Sequence, residues 1–144
     1  MKTKYLITAS LMIFWTLITF SQSTTSVNKT KYKIVMQLAS PDTVVHHNTV
    51  TQIYNAMAEA PNSTIELVCH SAGISFLQMS KTVAAKDIED LKKKGVVFAA
   101  CANTIRMRKI DKADIVSQAI IVPSGVIEIV DKQSKGWQYL KAGN

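Results

Sequence analysis

The chain has 144 residues, 47% of them hydrophobic, with two cysteines and a formal net charge of +7. That length and apolar content suit one domain with a real core and exclude a disordered chain. Two cysteines exclude the dense disulfide framework of a small secreted scaffold. The basic excess shows no long basic run interleaved with aromatics, so nucleic acid is not an expected partner. Its one dense run, Lys92-Lys93-Lys94, precedes Gly95, as cations in a last helical turn before a C′ glycine do.

In chain order, Lys2 and Lys4 form a basic start, Tyr5 to Phe20 is apolar apart from Thr and Ser, and Ser21-Gln22-Ser23 offers small residues to a signal peptidase. This pattern predicts a secretory signal peptide over residues 1–23, and hence a periplasmic or secreted protein. The apolar run is short for a membrane span; no membrane association is expected after cleavage. Lys2 and Lys4 leave with it, so 17 basic residues become 15 against 10 acidic ones and the charge falls to +5. Residues 24–31 read as a polar flexible leader, and residues 32–144 as the domain.

Tyr32 to Leu38 reads as a first strand. Ser40-Pro41-Asp42-Thr43 turns into a helix capped by Asp42 or Thr43 and running to about Ala60, with His46, Val50, Ile53 and Met57 on one face. Thr64 to His70 is a second strand, ending in a loop, Ser71 to Ser75. A second helix is expected from about Lys81 to Lys94, with Ala84, Ile88 and Leu91 inward. Val96 to Ala100 is a third, buried strand, followed by a short helix over Asn103–Lys109. A fourth strand spans Ala119–Val122. Pro123-Ser124-Gly125 then turns into a helix over Val126–Gln133, with Val126, Ile129 and Val130 inward. Gly136 to Lys141 is the last strand. The alternation predicts an α/β fold: a parallel sheet with helices on both faces.

Cys101 falls where the third strand should end and a helical turn begins. A thiol beside a helix N-terminus is stabilised as thiolate, and Arg106, Arg108 and Lys109 would add to the positive field. The plainer alternative, a small buried hydrophobe, stays open. Four loops follow strand ends and should share one side of the sheet: Asp42 to Asn48, His70 to Ser75, Cys101 to Thr104, and Pro123 to Gly125. That side is the expected site. His70 is there as an acid or base, or as a structural histidine. Ser124 and Gly125 form an anion-binding turn or an ordinary helix cap. Cys69 and Cys101 would bond only if their strands are neighbours and their Cα atoms close. Adjacent His46 and His47 point to different helix faces, so no metal site is expected. No Gly-x-Gly-x-x-Gly and no Walker motif is present, so no nucleotide or flavin cofactor is expected.

The strings Ala100-Cys101-Ala102-Asn103-Thr104 and Pro123-Ser124-Gly125-Val126-x-Glu128, then Lys132-Gln133-x-x-Gly136-Trp137-x-Tyr139-Leu140-Lys141-x-Gly143, resemble the DsrE/DsrF-like family from about Tyr32 to the C-terminus. Val68-Cys69-His70-Ser71-x-Gly73 resembles that family's second-strand ending. The resemblance implies a three-layer α/β/α fold, a mostly parallel five-stranded sheet, and a homo-oligomer, a trimer or hexamer. In the family's sulfur-relay members, a cysteine at the position of Cys101 carries a persulfide. The implied function is therefore a sulfur carrier or sulfurtransferase-like protein using Cys101, with a sulfur donor or acceptor protein or a small thiol as partner. His70, Gly73, Asn103, Thr104, Ser124 and Gly125 would form the surrounding site. The relay members work in the cytoplasm, so the signal peptide departs from their pattern. The competing reading is a non-catalytic homo-oligomer that binds a small ligand.

Overall fold

The computed structural model describes residues 30–143. The expected signal peptide and nearly all of the leader lie outside the described residues.

Five strands, β1 (Lys33–Leu38), β2 (Thr64–Cys69), β3 (Val97–Cys101), β4 (Ala119–Val122) and β5 (Gln138–Lys141), form one sheet in the order β4-β3-β2-β1-β5. Every pairing is parallel. The chain steps from β1 out to β4 in one direction through α1 (Thr43–Glu59), α2 (Ala85–Lys93) and α3 (Ala102–Met107), then returns to the opposite edge through α4 (Gly125–Ser134). Parallel crossovers are right-handed, so reversing the direction moves the connection to the other face of the sheet. This is why, among the described residues, α4 is the helix on its face.

Strand parity divides the core. Met36, Leu38, Ile65, Leu67, Cys69, Phe98 and Ala100 point to the face covered by α1, α2 and a 3₁₀ segment, Ser71–Leu77, which supply Val50, Ile53, Ile88, Leu91, Ile74, Phe76 and Leu77. Val35, Val68, Ala99 and Val122 point to the α4 face and meet Ile129 and Trp137. The first helix carries its apolar residues at helical spacing and begins at Asp42, whose carboxylate accepts from Val44 N at 2.8 Å. That cap satisfies one of the free N–H groups of the first turn.

Several boundaries differ from the sequence reading. The second helix starts at Ala85, not Lys81. Residues 79 and 80 are held instead by Asp114: Met79 N donates to its carbonyl at 2.7 Å, and Ser80 N and Oγ donate to its carboxylate at 2.8 and 2.7 Å. The loop after β2 is a 3₁₀ helix. In α4 only Gly125 and Ile129 are buried, whereas Val126 and Val130, expected inward, are more than half exposed along with Ile127. A ten-residue helix on a flat sheet buries a narrow stripe, and i, i+4 spacing assigns that stripe to Gly125 and Ile129.

The register also decides the cysteine pair. Cys69 lies beside Ala100, and Cys101 is the next residue along. Successive side chains of a strand point to opposite faces, so the two sulfurs lie on opposite sides of the sheet, and both cysteines are free.

Candidate functional site

The ends of β2, β3 and β4 bring Cys101, His70 and Gly125 together. Cys101 is the last residue of β3 and the N-cap of α3. Its side chain is on the α4 face and only 4% exposed, as buried as the plainer reading of the sequence would have it. Burial pushes the thiol up. The Thr104 hydroxyl and the backbone N–H groups of Gly125, Thr104 and Asn103 surround the sulfur, and their attraction for the thiolate more than reverses this, so the thiol is held below its ordinary value. Donors aimed at the charged form favour it. The expected help from Arg106, Arg108 and Lys109 is replaced by these donor groups; Arg106 is turned instead onto Asn103 Oδ1 at 2.9 Å. The Asn103 N–H donates to the Pro123 carbonyl at 3.3 Å.

Thr104 has a defined polarity. Its Oγ1 accepts from Ser71 N at 3.0 Å, which leaves its hydroxyl proton for Cys101. Ser71 sits at a positive φ of 50°, a conformation that costs a non-glycine residue free energy and collects at functional sites. That conformation delivers the Ser71 N–H to Thr104. Its hydroxyl, meanwhile, receives the Nδ1–H of His70 at 2.9 Å.

His70 is the centre of a second chain of hydrogen bonds. Tyr139 OH donates to Gln37 Oε1, so the Gln37 amide nitrogen faces His70 and donates to its Nε2 at 2.8 Å. Nε2 is thus an acceptor and Nδ1 the protonated nitrogen. Burial lowers the imidazole pKa, in keeping with this neutral tautomer. Both ring nitrogens are committed within the protein. His70 therefore orients Ser71, rather than serving as a free acid or base.

The two glycines are fixed by close approach. A Cβ on Gly125 would lie 3.0 Å from His70 Cβ and 3.3 Å from Cys101 Cβ. Only a bare backbone lets the first turn of α4 reach the sulfur. A Cβ on Gly73 would meet the Leu38 carbonyl oxygen at 2.4 Å, so Gly73 seats the 3₁₀ segment against the end of β1 and lies outside the sulfur's hydrogen bonds. Ser124 is the helix cap, its Oγ accepting from Ile127 N at 3.5 Å. Of the predicted residues, then, Cys101, Asn103, Thr104 and Gly125 form the cradle, His70 supports it, Ser124 caps the helix that carries Gly125, and Gly73 stands apart, against the end of β1.

Sequence reasoning missed Gln37, Ser71 as a polar relay, and Tyr139. Gln37 in an apolar strand was the available signal, because a polar side chain there needs a partner. It also missed Glu66 under α4. This carboxylate is 1% exposed and pairs with Lys132 Nζ at 2.5 Å, while the ammonium lies 4.5 Å from the centre of the Trp137 ring. Burial outweighs Lys132 and raises the Glu66 pKa. Among the described residues no three of His, Cys, Asp and Glu come together as a metal site requires, and no helix is long and apolar enough to cross a membrane.

A parallel three-layer α/β fold with a hydrogen-bonded thiol at the strand ends defines the class of protein. The match to known families agrees: residues 31–142 match the DsrE/DsrF-like family, and the chain belongs to it. A solved structure, that of a protein of unknown function, MTH1491, from Methanobacterium thermoautotrophicum, is similar with 31% identity and a TM-score of 0.73 over 76% of this chain and 98% of that one. No curated protein matches the chain.

Proposed function

We propose that this protein is an exported, homo-oligomeric persulfide carrier that loads sulfur on Cys101. The observation that carries the reading is the gathering of four donor groups around a single, nearly buried sulfur. They stabilise a thiolate without a neighbouring cation, and the thiolate is the nucleophile. In the first step the Cys101 thiolate attacks the outer sulfur of a donor persulfide. A bond forms between Cys101 Sγ and that sulfur, the donor's S–S bond breaks, and the donor leaves as a thiolate. In the second step an acceptor thiolate attacks the outer sulfur held on Cys101, takes it as a new persulfide, and releases the Cys101 thiolate. Electrons and atoms balance at each exchange, and no redox partner is consumed. A cavity of about 310 Å³ between Ser71, Thr104, Met107 and Arg108 adjoins Thr104 and offers room beside the cradle.

Intact-mass measurement after incubation with polysulfide tests this. The wild type and Cys69→Ser should gain sulfur, and Cys101→Ser should not. The burial of Cys101 favours one competing reading, a small-ligand-binding protein with a structural thiol. In that case alkylation would label Cys101 only after unfolding, and the carrier reading would fail. The export element rests on the Lys2/Lys4, apolar and Ser-Gln-Ser pattern. N-terminal sequencing of the mature protein should begin near Thr24, and an intact Met1 in the membrane fraction would overturn it.

A further inference from the structure

A separate cavity of about 440 Å³ opens between the start of α1, the 3₁₀ segment and the residues after α3. Two cations, Lys81 and Arg108, line it, and among the described residues neither makes an ion pair. Asp114 lies near enough to feel Lys81, but its carboxylate is taken by Ser80 and Gln78. No carboxylate lines the cavity itself. Its wall also holds His46, 1% exposed. The Nε2–H of His46 donates to the Ser40 carbonyl at 2.9 Å, so Nδ1 carries the lone pair. Among the described residues that buried Nδ1 has no hydrogen-bond partner, a state that native proteins rarely leave unanswered. The ring meets Phe76 edge to face, at 5.3 Å between ring centres.

We propose that this cavity binds a small hydroxycarboxylate. The carboxylate lies against Arg108 and Lys81, and the ligand hydroxyl donates to His46 Nδ1. The planar guanidinium fork suits a planar carboxylate. The donor is neutral, because an ammonium would enter a cavity with two cations and no carboxylate to meet it. This site is independent of sulfur loading on Cys101, although Arg108 lines both this cavity and the one beside Thr104.

Isothermal titration calorimetry of the whole mature protein with lactate and with propionate, which differ by one hydroxyl, tests the assignment. Lactate should bind about tenfold more tightly or better, because propionate leaves Nδ1 unanswered. Arg108→Met and Lys81→Met should each weaken lactate about tenfold. His46→Phe should make the two ligands bind alike. Equal binding of lactate and propionate to the wild type would overturn the proposal. So would an unchanged lactate affinity in Arg108→Met, or no heat from lactate at about 10 mM. If His46→Phe does not fold, the wild-type ligand pair and Arg108→Met still decide.

Discussion

At Cys101 a single sulfur faces donor groups from two helix starts at once, and one of these, the Thr104 hydroxyl, is itself held by the Ser71 N–H. Removing that hydroxyl should raise the thiol pKa. A hydrogen bond to a charged acceptor contributes about 1.5–3 kcal/mol, so Thr104→Val should move the Cys101 titration up by about one pH unit or more. Iodoacetamide labelling rates across pH measure this; an unmoved profile would show that the hydroxyl donates elsewhere. His70 adds a pH dependence. Its folded pKa lies below the unfolded value of about 6.5. The sign follows: its contribution to stability is present above about pH 6.5 and is lost as the pH falls through the folded value. The difference in urea midpoint between wild type and His70→Gln should therefore be greatest near neutrality and should shrink under acid conditions.

Among the elements, α4 connects the thiol to a buried ion pair at its far end. Gly125 at its start reaches the sulfur, and Lys132 near its end holds Glu66 across the sheet. Removing one partner of a buried pair leaves an uncompensated charge and costs about 3–5 kcal/mol. Lys132→Met should lose stability of that order at neutral pH. Glu66 already has a raised pKa, so it should take up a proton on acidification, and the loss should diminish as the pH falls. Chemical denaturation at two pH values checks it. At the other end, Gly125→Ala should destabilise by about 1–3 kcal/mol through overpacking against His70 and Cys101. It should also speed or slow alkylation of Cys101 by shifting the N–H donor, whereas Gly73→Ala should destabilise without changing the thiol titration.

At the scale of the molecule, one helix covers a whole face of the sheet and leaves Ile120, Val126, Ile127 and Val130 exposed. Contiguous exposed apolar residues mark interaction surfaces. This supports the proposed homo-oligomer, with the α4 face as the contact between copies. Light scattering of the wild type should give a multiple of the mature mass, and Ile127→Glu with Val130→Lys should reduce it to the monomer while Cys101 keeps its titration. A monomeric wild type at micromolar concentration would exclude this assembly.

The order of strands and helices and the place of Cys101 at a strand end were legible in the sequence by itself. Both depend on local signals: apolar runs of strand length, a capping Asp42, and glycines after helices. Asn103 and Thr104 were legible for the same reason, because they follow Cys101 within one turn. What tertiary structure alone decided is the electrostatics of the site. The Gly125 donor, and the Tyr139–Gln37–His70–Ser71–Thr104 chain, join residues up to 102 positions apart. No local pattern encodes such contacts, since they depend on β5 returning beside β1 and on the ends of β1, β2, β3 and β4 lying side by side in the sheet. The inward face of α4 was likewise undecidable locally: Val126, Ile129 and Val130 are equally apolar, and the sheet beneath selects Ile129 by its position. The cysteines followed the same rule, because one residue of register placed Cys69 and Cys101 on opposite faces.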